Sequence, residues 1–208
     1  MRMKTWVSAL LIGVAAVSCT PATQMKEIWK EPSYKPTESR KVLVLGLSEN
    51  DRNKRIFEEA MVKQLTVHHV TGILGYNVLP SDPTTVDKEV LKQTIVGTGA
   101  ELALVTRVIG VDKETQYVPG TTYYAPAPSY YGFYGYYYSS YATVSDPGYL
   151  REYQVVKVET NVYDVKTEKL VWSGVSHTED PQDVMRAIDE VAATMVAALA
   201  ADKVIANK

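Results

Sequence analysis

Lys41-Val-Leu-Val-Leu-Gly46 is the stretch on which the reading of the fold turns. It is a short, unbroken Val/Leu run closed by glycine, the pattern of a buried strand. The period changes immediately after it. Ser48 and Asp51 are spaced like a capping box, with Asp in place of Glu or Gln. Ile56 and Ala60, then Phe57, Met61 and Leu65, recur at four-residue steps, which predicts a helix from about Glu49 to Thr66.

The same alternation continues outward. Gly72 to Leu79 reads as a second strand, stopped by Pro80-Ser-Asp-Pro83. Thr84 or Thr85 then caps a second helix with Val86, Val90, Leu91 and Ile95 on one side, ended by Gly97 and Gly99. Glu101 to Val111 is a third strand. Farther on, Val156, Val158 and Val162 alternate with Lys157, Glu159 and Asn161, the signature of a half-buried strand. Asp164 to Lys169 is a turn, and Leu170 to Ser176, with Trp172, pairs back as a hairpin. Asp180-Pro181 opens a last helix to about Ala201, with Val184, Ile188, Val191, Met195 and Leu199 on its buried face. The expected architecture is an α/β (α+β) sandwich: a mixed sheet of about five strands and three helices, in the order β-α-β-α-β, insertion, β-β-α, occupying residues 41–205 as a single domain.

The N-terminus has a different character. Arg2 and Lys4 precede an apolar run from Trp6 to Val17, which is the layout of a signal peptide over residues 1–18. The run is too short to span a bilayer, which takes about 20 apolar residues. It ends at Ala16-Val17-Ser18-Cys19, which resembles a lipobox with Ala where Leu is usual. Cys19 is the only cysteine, so it has no internal disulfide partner. The bland reading is an accidental Cys beside an ordinary signal-peptidase site; the sharper one, expected here, is acylation of Cys19, which would anchor the chain to a membrane by buried hydrocarbon. Thr20 resembles an outer-membrane sorting residue of Gram-negative lipoproteins, which would place the domain in the periplasm. Residues 19–40, with Pro21, Pro32 and Pro36, read as a flexible tether in which Trp29 and Tyr34 either pack back on the domain or stand exposed. Removing Arg2 and Lys4 takes the formal charge from −2 to −4, which gives no footprint for nucleic acid.

The insertion, residues 116–148, is rich in Tyr, Gly and Pro. No charged residue occurs from Gln116 to Ser145, and Tyr117 to Tyr141 holds ten of the 15 tyrosines. Pro119, Pro126 and Pro128 exclude a helix or a continuous central strand. The segment is either a low-complexity loop without a fixed task or a contact arm. As an arm, its candidate contact residues for a protein or a glycan such as peptidoglycan are Tyr123, Tyr124, Tyr130, Tyr131, Phe133, Tyr134, Tyr136, Tyr137 and Tyr138, because tyrosine combines a broad apolar face with a polar tip.

Three motifs resemble those of small periplasmic domains found in the curli-secretion lipoprotein CsgG, the penicillin-binding-protein activator LpoB and the N-terminal domain of TolB. They are Lys41 to Gly46, Gly99-Ala-Glu-Leu-Ala-Leu-Val-Thr-Arg107, and the hairpin Val162-Tyr-Asp-Val-Lys-Thr-Glu-Lys-Leu-Val-Trp172, with Glu168 where Gly is usual. The resemblance implies an α/β fold and a non-enzymatic role in envelope assembly, secretion or partner regulation, including as a homo-oligomeric subunit.

Catalytic signatures are sparse. His68 and His69 are adjacent and would point about 100° apart on a helix, a poor arrangement for chelating one metal. His177 stands near Glu179, Asp180 and Asp183, but Asp180 and Asp183 suit helix capping. A hydrolase elbow and a phosphate-binding loop are lacking, so neither a metal nor a cofactor is expected and an envelope hydrolase is the remote alternative. If Cys19 carries the anchor, Cys19→Ala abolishes metabolic fatty-acid labelling of the chain; labelling as before would refute the lipobox.

Overall fold

The computed structural model describes residues 22–35, 41–80, 85–124 and 143–205. Cys19 and the signal segment lie outside them, as do Thr84 and most of the tyrosine-rich stretch. The elements are β1 (Thr23–Lys30), β2 (Lys41–Leu47), α1 (Asp51–Val67), β3 (Thr71–Leu74), a 3-10 turn (Gly75–Asn77), α2 (Lys88–Gly97), β4 (Leu102–Val118), β5 (Thr121–Tyr124), β6 (Thr143–Asp146), β7 (Tyr149–Asp164), β8 (Leu170–Glu179) and α3 (Val184–Ala201). A six-stranded mixed sheet in the order β1-β8-β7-β4-β2-β3 carries the fold, and β5 and β6 form a separate ribbon. β2 runs parallel to β3 and β4, while β4, β7, β8 and β1 pair antiparallel in turn.

α1 and α3 cover one face of this sheet. Val42, Val44, Leu102, Leu104, Val158, Val162 and Trp172 meet Phe57, Met61 and Leu65 of α1 and Val191, Met195, Val196 and Leu199 of α3. Trp172 is completely enclosed, and its indole N–H donates to Asp202 Oδ2 at 2.7 Å, so its apolar bulk is buried without leaving the polar edge unpaired. Each such large side chain contributes about 1.5–3 kcal/mol by leaving water. Where the same face turns polar, two hydroxyl pairs form across strands, while the buried Ser176 Oγ has no partner among the described residues. Thr106 Oγ1 bonds Thr160 Oγ1 at 2.8 Å, and Thr23 Oγ1 bonds Thr178 Oγ1 at 2.9 Å. α2 lies against the opposite face with no fully buried residue; its Leu91 and Ile95 look across a cavity of about 480 Å³ to Leu45 and Leu47.

The largest correction concerns residues 19–40. Thr23–Lys30 is a strand rather than part of a flexible tether; it pairs with β8 and extends the sheet to six strands. As an edge strand with only Thr23 fully buried, it carries Lys26, Glu27 and Lys30, so its polar composition concealed it. Tyr34 does pack on the core, whereas Trp29 remains 45% exposed. The body of the domain therefore begins at Thr23 and not at Lys41.

The helix starts also moved. Asn50, not Ser48, caps α1 by accepting the Asn53 N–H at 3.1 Å, and Ser48 Oγ accepts from Asn50 N. Asp87 caps α2 rather than Thr84 or Thr85. Asp183 caps α3, accepting from Arg186 N at 2.8 Å, while Asp180 takes a left-handed φ of 46° and pairs with Arg151. Glu168 occupies the left-handed region as well, at φ 58°, which is why glycine would be usual at that turn position.

The strand expected over Gly72–Leu79 stops at Leu74, and the buried Glu58 supplies the reason. Its Oε1 accepts from Gly46 N at 3.1 Å and its Oε2 from Tyr76 N at 2.8 Å. One carboxyl group on α1 thereby ties the end of β2 to the turn after β3. Gly75 is required at that turn, because a Cβ there would lie 2.5 Å from the Val44 carbonyl oxygen and from Leu45 Cδ2. Glu58→Ala leaves two backbone donors unpaired in a dry site, at about 1–3 kcal/mol each. We expect urea denaturation to show a loss of roughly 2–4 kcal/mol; a change under about 0.5 kcal/mol, typical of surface substitutions, would rule out the clamp.

Candidate functional site: a projecting arm with an apolar cleft at its root

β4 and β7 stay paired far beyond the body. Their register runs from Leu102 opposite Asp164 to Val118 opposite Tyr149, interrupted by a bulge between Val108 and Gly110. β8 ends at Glu179, opposite Val155, and Val155 faces Asp112 of β4. Past that level only β4 and β7 remain among the described strands. Lys113–Val118 and Tyr149–Gln154 therefore form a two-stranded ribbon, adding roughly 20 Å at about 3.4 Å per residue. Pro119-Gly120 and Pro147-Gly148 interrupt it, and β5 and β6 resume the pairing, with Tyr123 opposite Val144 and Tyr124 opposite Thr143.

The insertion is thus not irregular from its first residue. Its described flanks are strands, and β4 ends at Val118, one residue before Pro119 removes a ladder donor. The bulge leaves Ile109 as the extra residue where the ribbon leaves the body, the kind of place where bulges bend and re-aim a strand pair.

The two faces of the ribbon differ. One carries Asp112, Glu114, Gln116, Arg151 and Tyr153, and polar contacts fix it to the body. Arg151 pairs with Asp180, Lys157 with Asp112, and the Tyr153 hydroxyl donates to Glu114 Oε2 at 2.9 Å. The hydrogen bond to Glu114 pushes the Tyr153 phenol above its ordinary value, and that to Asp112 raises the Lys157 ammonium, since each stabilises the protonated group. The opposite face runs from Val111 and Val156 past Lys113, Thr115, Glu152 and Gln154 to Tyr117 and Leu150, cross-strand partners that are 62% and 70% exposed. Tyr149 and Tyr123 are also exposed. The Tyr117 ring lies over Gly148, where a Cβ would come within 2.2 Å of its hydroxyl oxygen, so glycine there makes room for the ring.

At the root of the arm an apolar cleft of about 260 Å³ opens between the first turns of α1 and α3. Phe57, Val108, Val158, Val184 and Ile188 form its walls, with Lys54 and Arg107 also lining it. Val184, expected in the core, is 59% exposed at this mouth.

Of the contact residues expected from sequence, Tyr123 stands exposed on β5 and Tyr124 is placed by its backbone pairing alone. Tyr130, Tyr131, Phe133, Tyr134, Tyr136, Tyr137 and Tyr138 lie outside the described residues. Tyr149 and Leu150 were missed. They follow the uncharged stretch, and only their cross-strand pairing with Val118 and Tyr117 assigns them to the arm. His177 lies on β8 facing away from α3, with Asp183 engaged as a helix cap, so the acidic residues near it in sequence do not gather around it. Among the described residues no group of three or more His, Cys, Asp or Glu could hold a metal ion. No described helix is long and apolar enough to cross a membrane.

No protein-family model and no curated protein matches the chain, so the group suggested by its motifs is not established. Solved structures with a similar chain path include the PelC dodecamer from Paraburkholderia phytofirmans, at 11% identity over 84% of this chain and 94% of that one, with a TM-score of 0.45. Lipoprotein GNA1162 from Neisseria meningitidis is similar at 10% identity over 77% of this chain and 97% of that one, with a TM-score of 0.42.

A two-stranded ribbon with exposed backbone edges opens more easily than a sheet core. Amide hydrogen exchange should therefore be about a hundredfold or more faster for Lys113–Val118 than for Leu102–Thr106 of the same strand. Equal protection along β4 would mean that the arm is covered by the body and does not project.

Proposed function

We propose that this chain is a lipid-anchored protein of the cell envelope that works by binding rather than catalysis. In this reading Cys19 holds the lipid, the domain faces the periplasm from the outer membrane, and the arm engages a protein or glycan partner. The observation that carries the proposal is the projecting β4–β7 ribbon. A lone two-stranded ribbon is marginally stable in water, and this one exposes Tyr117 and Leu150 side by side on one face and Tyr149 on the other. Burial of those side chains against a partner would stabilise the arm and provide binding energy at once. Tyrosine rings also suit stacking on sugar faces. The motif likeness to the CsgG, LpoB and TolB domains agrees with such a role.

A second reading, a subunit of a homo-oligomeric envelope complex, is favoured by the apolar cleft beside the exposed Leu47, Val108, Val184 and Met185. One experiment addresses both. Replacing residues 113–154 by Asn-Gly would close a two-residue hairpin turn between the facing Asp112 and Val155 and remove the whole arm, with Tyr117, Tyr149 and Leu150. In intact cells the shortened chain should stay folded and lose its crosslinked species. A lost band at twice the chain mass identifies a second copy as partner; a lost band of another mass identifies a different molecule. An unchanged crosslinking pattern would refute the arm as a contact element.

A further inference from the structure

From the position of the first strand we infer that the arm is also a membrane-contacting element, whose exposed tyrosine and leucine side chains seat at headgroup level in the bilayer holding the N-terminal lipid. The inference rests on the acylation of Cys19 and adds to it the protein surface that meets the lipid.

β1 begins at the end of the sheet from which the arm leaves. Thr23 is paired with Thr178, which faces Val156, which in turn faces Val111. The Glu179 N–H donates to the Ala22 carbonyl at 3.0 Å, fixing the chain one residue before β1 at that level. Only three residue steps separate Ala22 from Cys19, and at about 3.6 Å each they reach at most ~11 Å. β1 is two strands away from β7 in the sheet, roughly 10 Å. The continuous ribbon projects about 20 Å past the same level. The link to the lipid is therefore shorter than the arm. β1 runs into the body from this end, so Ala22 stands at the end of the sheet from which the arm leaves. A bilayer close enough to receive the lipid on Cys19 lies within reach of the arm's distal half.

The chemistry of that half suits an interface. From Lys113 to Tyr124 and from Thr143 to Gln154 the charges are Lys113, Glu114, Asp146, Arg151 and Glu152, and no basic patch is present. Affinity must then come from Tyr117, Tyr123, Tyr149 and Leu150, and tyrosine prefers the headgroup boundary, where its ring is dry and its hydroxyl wet. Among the described residues no further strand pairs with the outer edges of the ribbon beyond Gln154, which excludes it from the hydrocarbon core and sets the depth at the interface.

The test uses the mature chain with Cys19→Ser and an N-terminal polyhistidine tag. Nickel-chelating lipid, in vesicles of phosphatidylethanolamine and phosphatidylcholine, holds the tag in place of the natural anchor. A polarity-sensitive fluorophore is attached at Tyr123→Cys, or at Glu168→Cys in the turn at the opposite end of the sheet. We expect a blue shift and quenching by brominated lipid at position 123, neither at 168, and no change on adding phosphatidylglycerol or salt. Tyr149→Ser/Leu150→Ser should remove most of the shift with far-ultraviolet circular dichroism unchanged. Absence of a shift at 123, equal shifts at both positions, a shift that needs anionic lipid, or one that survives the double substitution would each overturn the inference. Crosslinks that still depend on the arm would then leave the binding role standing; losing both would remove both.

Discussion

Everything specific to this molecule depends on one uninterrupted antiparallel ladder, that between β4 and β7. Near Leu104 and Val162 the ladder is the middle of the hydrophobic core. Past Asp112 and Val155 the same hydrogen bonds continue with no neighbouring strand on either side among the described residues. A flexible insertion would have isolated its tyrosines from the body at the cost of loop entropy. A ladder transmits position instead: the side chains on the arm inherit their direction from a register fixed in the core, where a slip by one residue would turn Val158 and Val162 out to solvent.

The body is organised to hold that register. α1 and α3 cover the same face, and Glu58 locks the end of β2 to the turn after β3 through two backbone donors. Trp172 anchors β8 against β7 on the side of β1, with Asp202 accepting its indole proton. The Thr106–Thr160 and Thr23–Thr178 hydroxyl pairs satisfy polar groups in the enclosed end of the sheet, next to the cleft. Arg151–Asp180 and Lys157–Asp112 then tether the arm's charged face. They are partly exposed pairs and contribute modestly to stability, so their part is to orient the arm.

Sequence reading recovered the elements that bury apolar side chains at a clear period. Lys41–Leu47, the Phe57/Met61/Leu65 stripe, the Val158/Val162 alternation and the Trp172 hairpin all stand as expected. What escaped lacked that signal. β1 is an edge strand with one fully buried side chain, and its Lys and Glu residues read as a linker. The described arm is solvated on both faces, so alternation carries no information there, and Pro119 suggested a loop where it separates two ribbons. Tyr149 and Leu150 became site residues through their partners 31 and 33 positions earlier, a relation that no local window contains. Helix starts shifted by a few residues because Asn50, Asp87 and Asp183 competed with Ser, Thr and Asp neighbours able to cap equally well.

The placement of β1 bears on the proposed anchor. If Cys19 carries a lipid, a long tether would let the domain roam away from its membrane, whereas a strand starting at Thr23 would hold it close, with the arm's root at the near end. The central claim is that the β4–β7 ladder continues outward as an arm. It can be measured directly by pulsed electron spin resonance between labels at Glu168→Cys and Tyr149→Cys in a Cys19→Ser background. Fifteen steps of β7 separate Asp164, beside the label site at 168, from Tyr149, so an extended ladder predicts a narrow distribution near about 50 Å. A distribution centred below about 30 Å, shorter than the strand itself, would contradict the account and show the arm folded back on the body.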